Sequence, residues 1–215
     1  MAMLLAAAPA HAEENAQLWT AIAATGPVRG ELGLFAYAEV RASNDSSRLS
    51  QTVLGIGAGW DRSPRFSLYG GYLLTTTRLA EPNLREHRLW QQASYAIATA
   101  GRVRFSGRTM LQQRMFEHDR SLGWRVQQHL RATLPVTRDD RLRVVGYGEL
   151  LLNLNDTTWG ARAGVDRIRG FAGMNLLIGR HQTIEAGYMR QHIILHDAPD
   201  RVNHVGLVLL VHRFK

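Results

Sequence analysis

The sequence predicts an all-β chain that closes into an antiparallel transmembrane β-barrel of ten to twelve strands, twelve favoured. Three observations carry this expectation. First, polar and apolar residues alternate with a period of two, and successive side chains on a strand point to opposite faces. Second, the alternating runs last about 12–16 residues, beyond the usual 5–6 and enough for the 9–11 of a tilted membrane strand. Third, aromatic residues of the oily parity fall near strand ends, at Trp60, Phe66, Tyr95, Trp124 and Tyr188. Membrane barrels place their interfacial girdles there.

The stretch from Arg85 to Val136 shows the alternation most clearly. Glu86, Arg88, Gln92 and Ser94 share one parity; Leu89, Ala93, Tyr95 and Ile97 share the other. In the next run Arg104, Arg108, Gln112 and Arg114 alternate with Phe105, Leu111 and Met115. In the third, Arg125, Gln127, His129 and Arg131 alternate with Trp124, Val126, Leu130 and Leu134. A soluble sandwich would turn the oily face inward and the charged face to water. A membrane barrel inverts this. The charged face here carries long, branched side chains of mixed sign, where a water-facing sheet would carry lysine, serine and threonine. The barrel is therefore preferred, and only a closed sheet satisfies every peptide group in lipid.

Composition agrees. The 215 residues fit one domain. Charged residues are 20% and apolar residues 45%, matching neither a disordered chain nor a helical membrane protein. No run of eighteen apolar residues offers a spanning helix. With no cysteine, disulfides and thiolate metal sites are excluded. The net charge is +8, and Lys215 is the only lysine. Arginine's planar fork suits bidentate contact with carboxylates, phosphates and amides.

Taken in order, residues 1–12 are apolar and end in Ala10-His11-Ala12 before Glu13-Glu14. That pattern reads as the remnant of a signal peptide, although a basic leading segment is missing. The barrel domain is expected over 13–215. Strands are expected at 15–25, 31–42, 48–60, 64–77, 85–98, 102–117, 122–136, 140–153, 165–178, 181–193 and 202–214. Turn chemistry separates them, as at Gly26-Pro27, Asp61-Arg62-Ser63-Pro64, Asp139-Asp140 and Asn155-Asp156. Glu31, Glu39 and Arg41 share the polar parity of the second run, with Phe35 and Tyr37. Arg65 falls on it in the fourth, Arg141, Arg143 and Glu149 in the eighth, Arg167 and Arg169 in the ninth, Glu185 and Gln191 in the tenth. The last run is apolar on both parities and its faces stay unassigned. Eleven runs conflict with the even strand number of bacterial single-chain barrels. With a periplasmic C-terminus, the first run is one strand out of phase. Either it is no full barrel strand, leaving ten, or two strands have merged, giving twelve.

Several blocks resemble a known bacterial envelope family. They are Gln17-Leu18-Trp19, Gly71-Tyr72, Glu86-His87-Arg88-Leu89-Trp90-Gln91-Gln92, Arg108 with Gln113-Arg114, Asp166-Arg167, Gly187-Tyr188-Met189 and Asn203-His204-Val205. The resemblance is to domain-of-unknown-function family 2490, grouped with outer-membrane β-barrels, and covers residues 15–214. It implies a barrel and an outer-membrane address. It implies no activity and so no catalytic residues. A looser similarity, in architecture and arginine placement only, is to small oligosaccharide channels of the oligogalacturonate-porin type.

The parity turns twelve arginines and five glutamates inward. An arginine excess in a low-dielectric lumen suits anionic solutes. The same groups could instead pair across the wall and fill the interior. Glu86 and Arg88 beside Arg108 and Arg114 are the expected partners. Three functions stay open: a closed structural barrel, a narrow channel or porin for anionic solutes, and a lipid hydrolase or acyltransferase. For the last, His129, His192 and His204 with Ser94, Ser106 and Ser121 are the candidate bases and nucleophiles. They form no G-x-S-x-G elbow and no metal-ligand spacing. Gly55, Gly57 and Gly59 lie in a strand, so they form no phosphate loop and are expected to leave room for arginines opposite. Expected partners are outer-membrane lipid and lipopolysaccharide, with anionic solutes for the channel. No cofactor is expected, and strand-parity arginines argue against nucleic acid.

Overall fold

A computed structural model describes residues 13–43, 48–78, 83–196 and 198–215. The candidate leader lies outside them. Eleven strands form: β1 (Glu13–Arg29), β2 (Leu32–Ser43), β3 (Arg48–Ser63), β4 (Phe66–Thr77), β5 (Leu84–Ala100), β6 (Val103–Phe116), β7 (Gly123–Pro135), β8 (Leu142–Asn153), β9 (Gly164–Ile178), β10 (Gln182–Ile193) and β11 (Arg201–Arg213). Each pairs antiparallel with its sequence neighbour, and one closed barrel results.

The strand count settles at eleven, not twelve. The run at 15–25 is a full strand, β1, extended at both ends. Its phase conflict is resolved at the seam. β1 pairs with β11 in parallel, with Glu13 beside Arg201 and Thr25 beside Arg213. In a meander, direction alternates with each strand, so the first and eleventh run the same way. An odd count closes only through a parallel pair. The even-number expectation assumed an antiparallel seam.

One end of the barrel carries the short turns 30–31, 64–65, 101–102, 136–141 and 179–181. Glycines take positive φ in three of them, at Gly30, Gly101 and Gly179. Asp140 takes it in a fourth. The other end carries the connections 117–122, 154–163 and 194–200. β1 enters at this long-loop end, and the chain leaves at the short-turn end.

Burial follows the alternation. Leu34, Leu54, Ile56, Leu89, Leu130, Ile168 and Met174 point outward and stay exposed, Ile56 to 66%. Glu39, Glu86, Gln112, Arg125, Glu149 and Glu185 point inward and are buried. β11 is apolar on both faces because its inner side packs too. Val205, fully buried, joins Trp19, Val145, Phe171 and Met189, with Tyr147 and Leu207 against them, while Val208 faces out.

The interior glycines of β3 and β4 make room for rings and for Leu73, not for arginines. Phe35, Gly57, Gly71 and Trp90 lie in register across β2 to β5. The Phe35 and Trp90 rings meet edge to face at 5.9 Å over the two glycines. A Cβ on Gly57 would stand 2.6 Å from the Trp90 ring, and one on Gly71 2.1 Å from the Ile56 carbonyl. Gly55 and Gly59 likewise give way to Leu73 and Tyr69. The inward parity thus holds an aromatic layer beside its charged groups.

Candidate functional site

The lumen network is the candidate site, and Glu149 is its hub. Position 149 of β8 lies on an in-register rung: Ser94, Arg108, His129, Glu149, Arg169, Gln191, Asn203 and Asn15. Arg108 Nη2 and Gln127 Nε2 each donate to Glu149 Oε1 at 3.0 Å. Arg169 Nη1 donates to Oε2 at 3.0 Å, and His129 Nδ1 stands 2.9 Å from Oε1. Arg169 Nε donates onward to Gln191. Each of these donors arrives from a strand because the barrel's inner parity places polar side chains side by side.

Toward the long loops, Glu86 accepts from Arg88 at 2.8 and 2.7 Å and from Arg114 Nε at 2.5 Å. Arg88 and Arg114 stand directly opposite across β5 and β6. Like charges so placed repel, and Glu86 between them offsets this. Arg125, only 3% exposed, donates from Nε and Nη2 to Gln112 Oε1 and from Nη1 to Asp166 Oδ2 at 3.2 Å. Arg167 Nε shares that carboxylate at 2.6 Å. Gln112 Nε2 passes to Gln127 Oε1, joining both clusters. Glu39 accepts from Tyr37 and Arg41, and Arg41 lies 3.8 Å over the Trp19 ring. Toward the short turns, Glu185 accepts from Arg131 and Asn175.

The expected lumen residues divide in two. Arg41, Arg88, Arg108, Arg114, Arg125, Arg131, Arg167 and Arg169 do line the interior, with Gln92 donating to Ser94. Arg65, Arg104, Arg141, Arg143 and Glu31 fall at the short-turn rim, because each lies within a few residues of a turn. There Arg104 and Arg143 share Asp140, and Glu31 pairs with Arg62. Arg108 reaches Glu149 rather than Glu86. Trp60, Phe66, Tyr95, Trp124 and Tyr188 all lie on the outer face. Tyr95 bonds Thr109 and Gln128 there, and the Tyr188 hydroxyl stands 2.6 Å from His204.

Sequence reasoning missed Asp166. Parity put it outside, but the register slips where Leu151 pairs with Arg167 and Leu152 with Val165. Asp166 is the extra residue, and such a bulge re-aims a side chain. The juxtaposition Asp166-Arg167 was the only signal. Trp159 was also missed. Its ring lies 4.8 Å from the Arg114 guanidinium and 4.7 Å from Phe116, over Gly123. Its Nε1 donates to the Ser121 carbonyl. Thr158 donates to both oxygens of Asp119, at 2.6 and 2.8 Å. Asn155 donates to the Leu122 carbonyl. The 154–163 loop is thereby fastened across the 117–122 loop, capping one side of the mouth. The Thr158 bond, then the Ser121 amide, hold the Asp119 carboxyl below the usual aspartate range. A cleft of about 220 Å³ remains beside this cap, lined by Asn153, Arg162, Asp166 and His196.

For lipid chemistry the decisive geometry is the company each histidine keeps. His129 lies against Glu149, and its ring meets that of Tyr147 at 4.6 Å with a tilt of 35°. His192 Nε2 stands 2.6 Å from Asp200 at the long-loop rim. No serine hydroxyl is bonded to either among the described residues. No group of three potential metal ligands gathers among them either.

The rims differ in charge. At the short-turn end Arg29, Arg62, Arg65, Arg102, Arg104, Arg138, Arg141, Arg180, Arg213 and Lys215 are exposed. Four carboxylates, Glu31, Asp61, Asp139 and Asp140, accompany them. Around the other end, cations and carboxylates are near balance among the described residues.

A family model described as a protein of unknown function (DUF2490) matches residues 16–203. The chain belongs to that family. The DUF2490 chain is also 36% identical over 188 residues to an uncharacterised protein of Methylorubrum extorquens, covering 86% of this chain and 82% of that one. No solved structure matches it.

Proposed function

We propose that this DUF2490 protein is an outer-membrane β-barrel whose lumen is closed by its own side chains, and that its role is structural. The carrying observation is inverted burial. Large apolar side chains such as Leu54 and Ile56 are more than half exposed on the outer face, while Glu86, Glu149 and Arg125 are buried within. In water this arrangement forfeits the hydrophobic effect on the outside. In lipid both faces are matched to their surroundings. Strands of 12–17 residues are long enough, since about 12 residues at a ~40° tilt rise ~30 Å. Closure is supported by the aromatic layer and the five groups of interior ion pairs around Glu39, Glu86, Glu149, Asp166 and Glu185. Residues 1–12 fit a leader that directs the chain to the envelope.

A second reading, a narrow anion passage, is favoured by one observation. Eight lumen arginines face five carboxylates, Glu39, Glu86, Glu149, Asp166 and Glu185. Planar bilayers separate the two. The closed barrel is expected to insert, shown by protease protection of its strands, without stepwise conductance. Discrete anion-selective steps would establish the passage instead. Failure to sediment with an outer-membrane fraction would overturn the membrane location itself.

A further inference from the structure

The cations of the short-turn end form a ring, not a patch. Every one of the five turns contributes, through Arg29, Arg65, Arg102, Arg138 and Arg180, and Arg213 closes the circle after β11. All are exposed. The neighbouring acids are few, and Asp140 and Glu31 are engaged by Arg104, Arg143 and Arg62. Arg29, Arg65, Arg138 and Arg180 make no ion pair among the described residues. The opposite rim carries no comparable excess among the described residues.

The position along the axis matters as much as the charge. The ring lies at the ends of the strands, just beyond the apolar outer face. Trp60 and Phe66, exposed on that face, flank the turn at 64–65. Apolar band, then aromatics, then cations is the layering of a membrane interface. A protein partner would contact one sector of the rim. A ligand that meets all six sectors at one level must itself be a plane surrounding the barrel.

Resting on the membrane reading above, we infer that this arginine ring binds the headgroups of anionic phospholipids in the leaflet around the short-turn end. Each guanidinium presents a fork that matches two phosphate oxygens, and the headgroup plane supplies phosphates around the whole circumference. A ring confined to one end also favours one orientation whenever the two leaflets differ in anionic phospholipid.

The test uses the full chain reconstituted in vesicles of phosphatidylcholine with a minor fraction of phosphatidylglycerol. Spin-labelled analogues of each lipid report the population held at the protein surface. Phosphatidylglycerol should be enriched over phosphatidylcholine, by roughly fivefold for each fully engaged cation, and the enrichment should fall with salt. The triple variant Arg65→Gln, Arg138→Gln and Arg180→Gln should lose most of it. Arg78→Gln with Arg120→Gln, at the long-loop end, should keep it. Equal association of the two lipids with an inserted wild-type barrel would overturn the inference, and leaves an acidic protein as the ring's partner. Enrichment unchanged in the triple variant would overturn it as well. Failure to insert into either vesicle would instead reject the membrane reading on which it rests.

Discussion

Glu149 shows what one residue can hold at the centre of a barrel. It accepts from Arg108, Gln127 and Arg169 and lies against His129, so three neighbouring strands, β6, β7 and β9, converge on one carboxylate of β8. Burying a charge pays only when geometry is excellent, and removing one partner leaves the others uncompensated. Glu149→Ala is therefore expected to destabilise the barrel by about 3–5 kcal/mol, read from urea unfolding in detergent. A loss below about 1 kcal/mol would show that the arginines find other acceptors. Gly71 makes the complementary point about space. Gly71→Ala sets a Cβ 2.1 Å from the Ile56 carbonyl and 2.7 Å from the Trp90 ring. Backbone on one side and a packed ring on the other give no room, so a cost of about 1–3 kcal/mol is expected. Gly170→Ala meets nothing within 4 Å and should stay within about 0.5 kcal/mol of wild type. Glu86, Arg88, Arg125 and Glu149 were legible as inward residues because the period of two names a face. Their partners were not, because pairing depends on register and on which rotamer reaches across. Asp166 was illegible for a sharper reason: one bulge reverses the parity on which the reading depends.

At the scale of elements, strands were easier to read than loops. Alternation and turn residues located all eleven runs to within a few positions. The order of charged and oily faces followed directly in β2 and in β4 to β10, apart from Asp166 at the β9 bulge. β11 hid its faces because both are apolar, one on the exposed outer surface and one toward Trp19 and Phe171. The 154–163 loop shows no period, so nothing in the sequence marked it as a cap. Yet Thr158, Trp159 and Asn155 fasten it to the neighbouring 117–122 loop. Its anchor at Asp119 is pH-sensitive, with a definite sign. A carboxyl whose folded pKa is depressed contributes stability above its unfolded value of about 3.8. That contribution is lost as pH falls through the folded value, below the ordinary aspartate range. The fluorescence of Trp159, reported in a variant retaining only that tryptophan near the mouth, should therefore change on acidification below about pH 4. Asp119→Asn should abolish the change and leave the loop's neutral-pH spectrum in its weakened form at every pH. A transition identical in both proteins would assign it to another group.

For the whole molecule, the parallel seam decides where the ends of the barrel lie. Ten or twelve strands would put both strand termini on one side; eleven put them on opposite sides. Glu14 stands on β1 at the long-loop end, beside the start of β11, and Arg213 at the short-turn end. The seam is nevertheless paired over most of its length, since β1 aligns with β11 from Glu13 to Thr25. The price is a parallel pairing, slightly weaker per residue than the antiparallel pairs elsewhere. The chain has no cysteine, which makes the arrangement directly measurable. Single substitutions Glu14→Cys and Arg120→Cys lie at the long-loop end; Arg138→Cys lies at the other. On the proposed outer-membrane reading, with the long loops outward, a membrane-impermeant maleimide should label the first two in intact cells to similar extents. It should reach position 138 only after the outer membrane is opened. If positions 14 and 138 label together while 120 stays apart, the first strand does not lie in the wall beside β11, since the two-residue turn to β2 allows it no other direction in the sheet. If the closed lumen is correct as well, labelling at 14 should not depend on solutes small enough to enter a channel, because no passage connects the two ends.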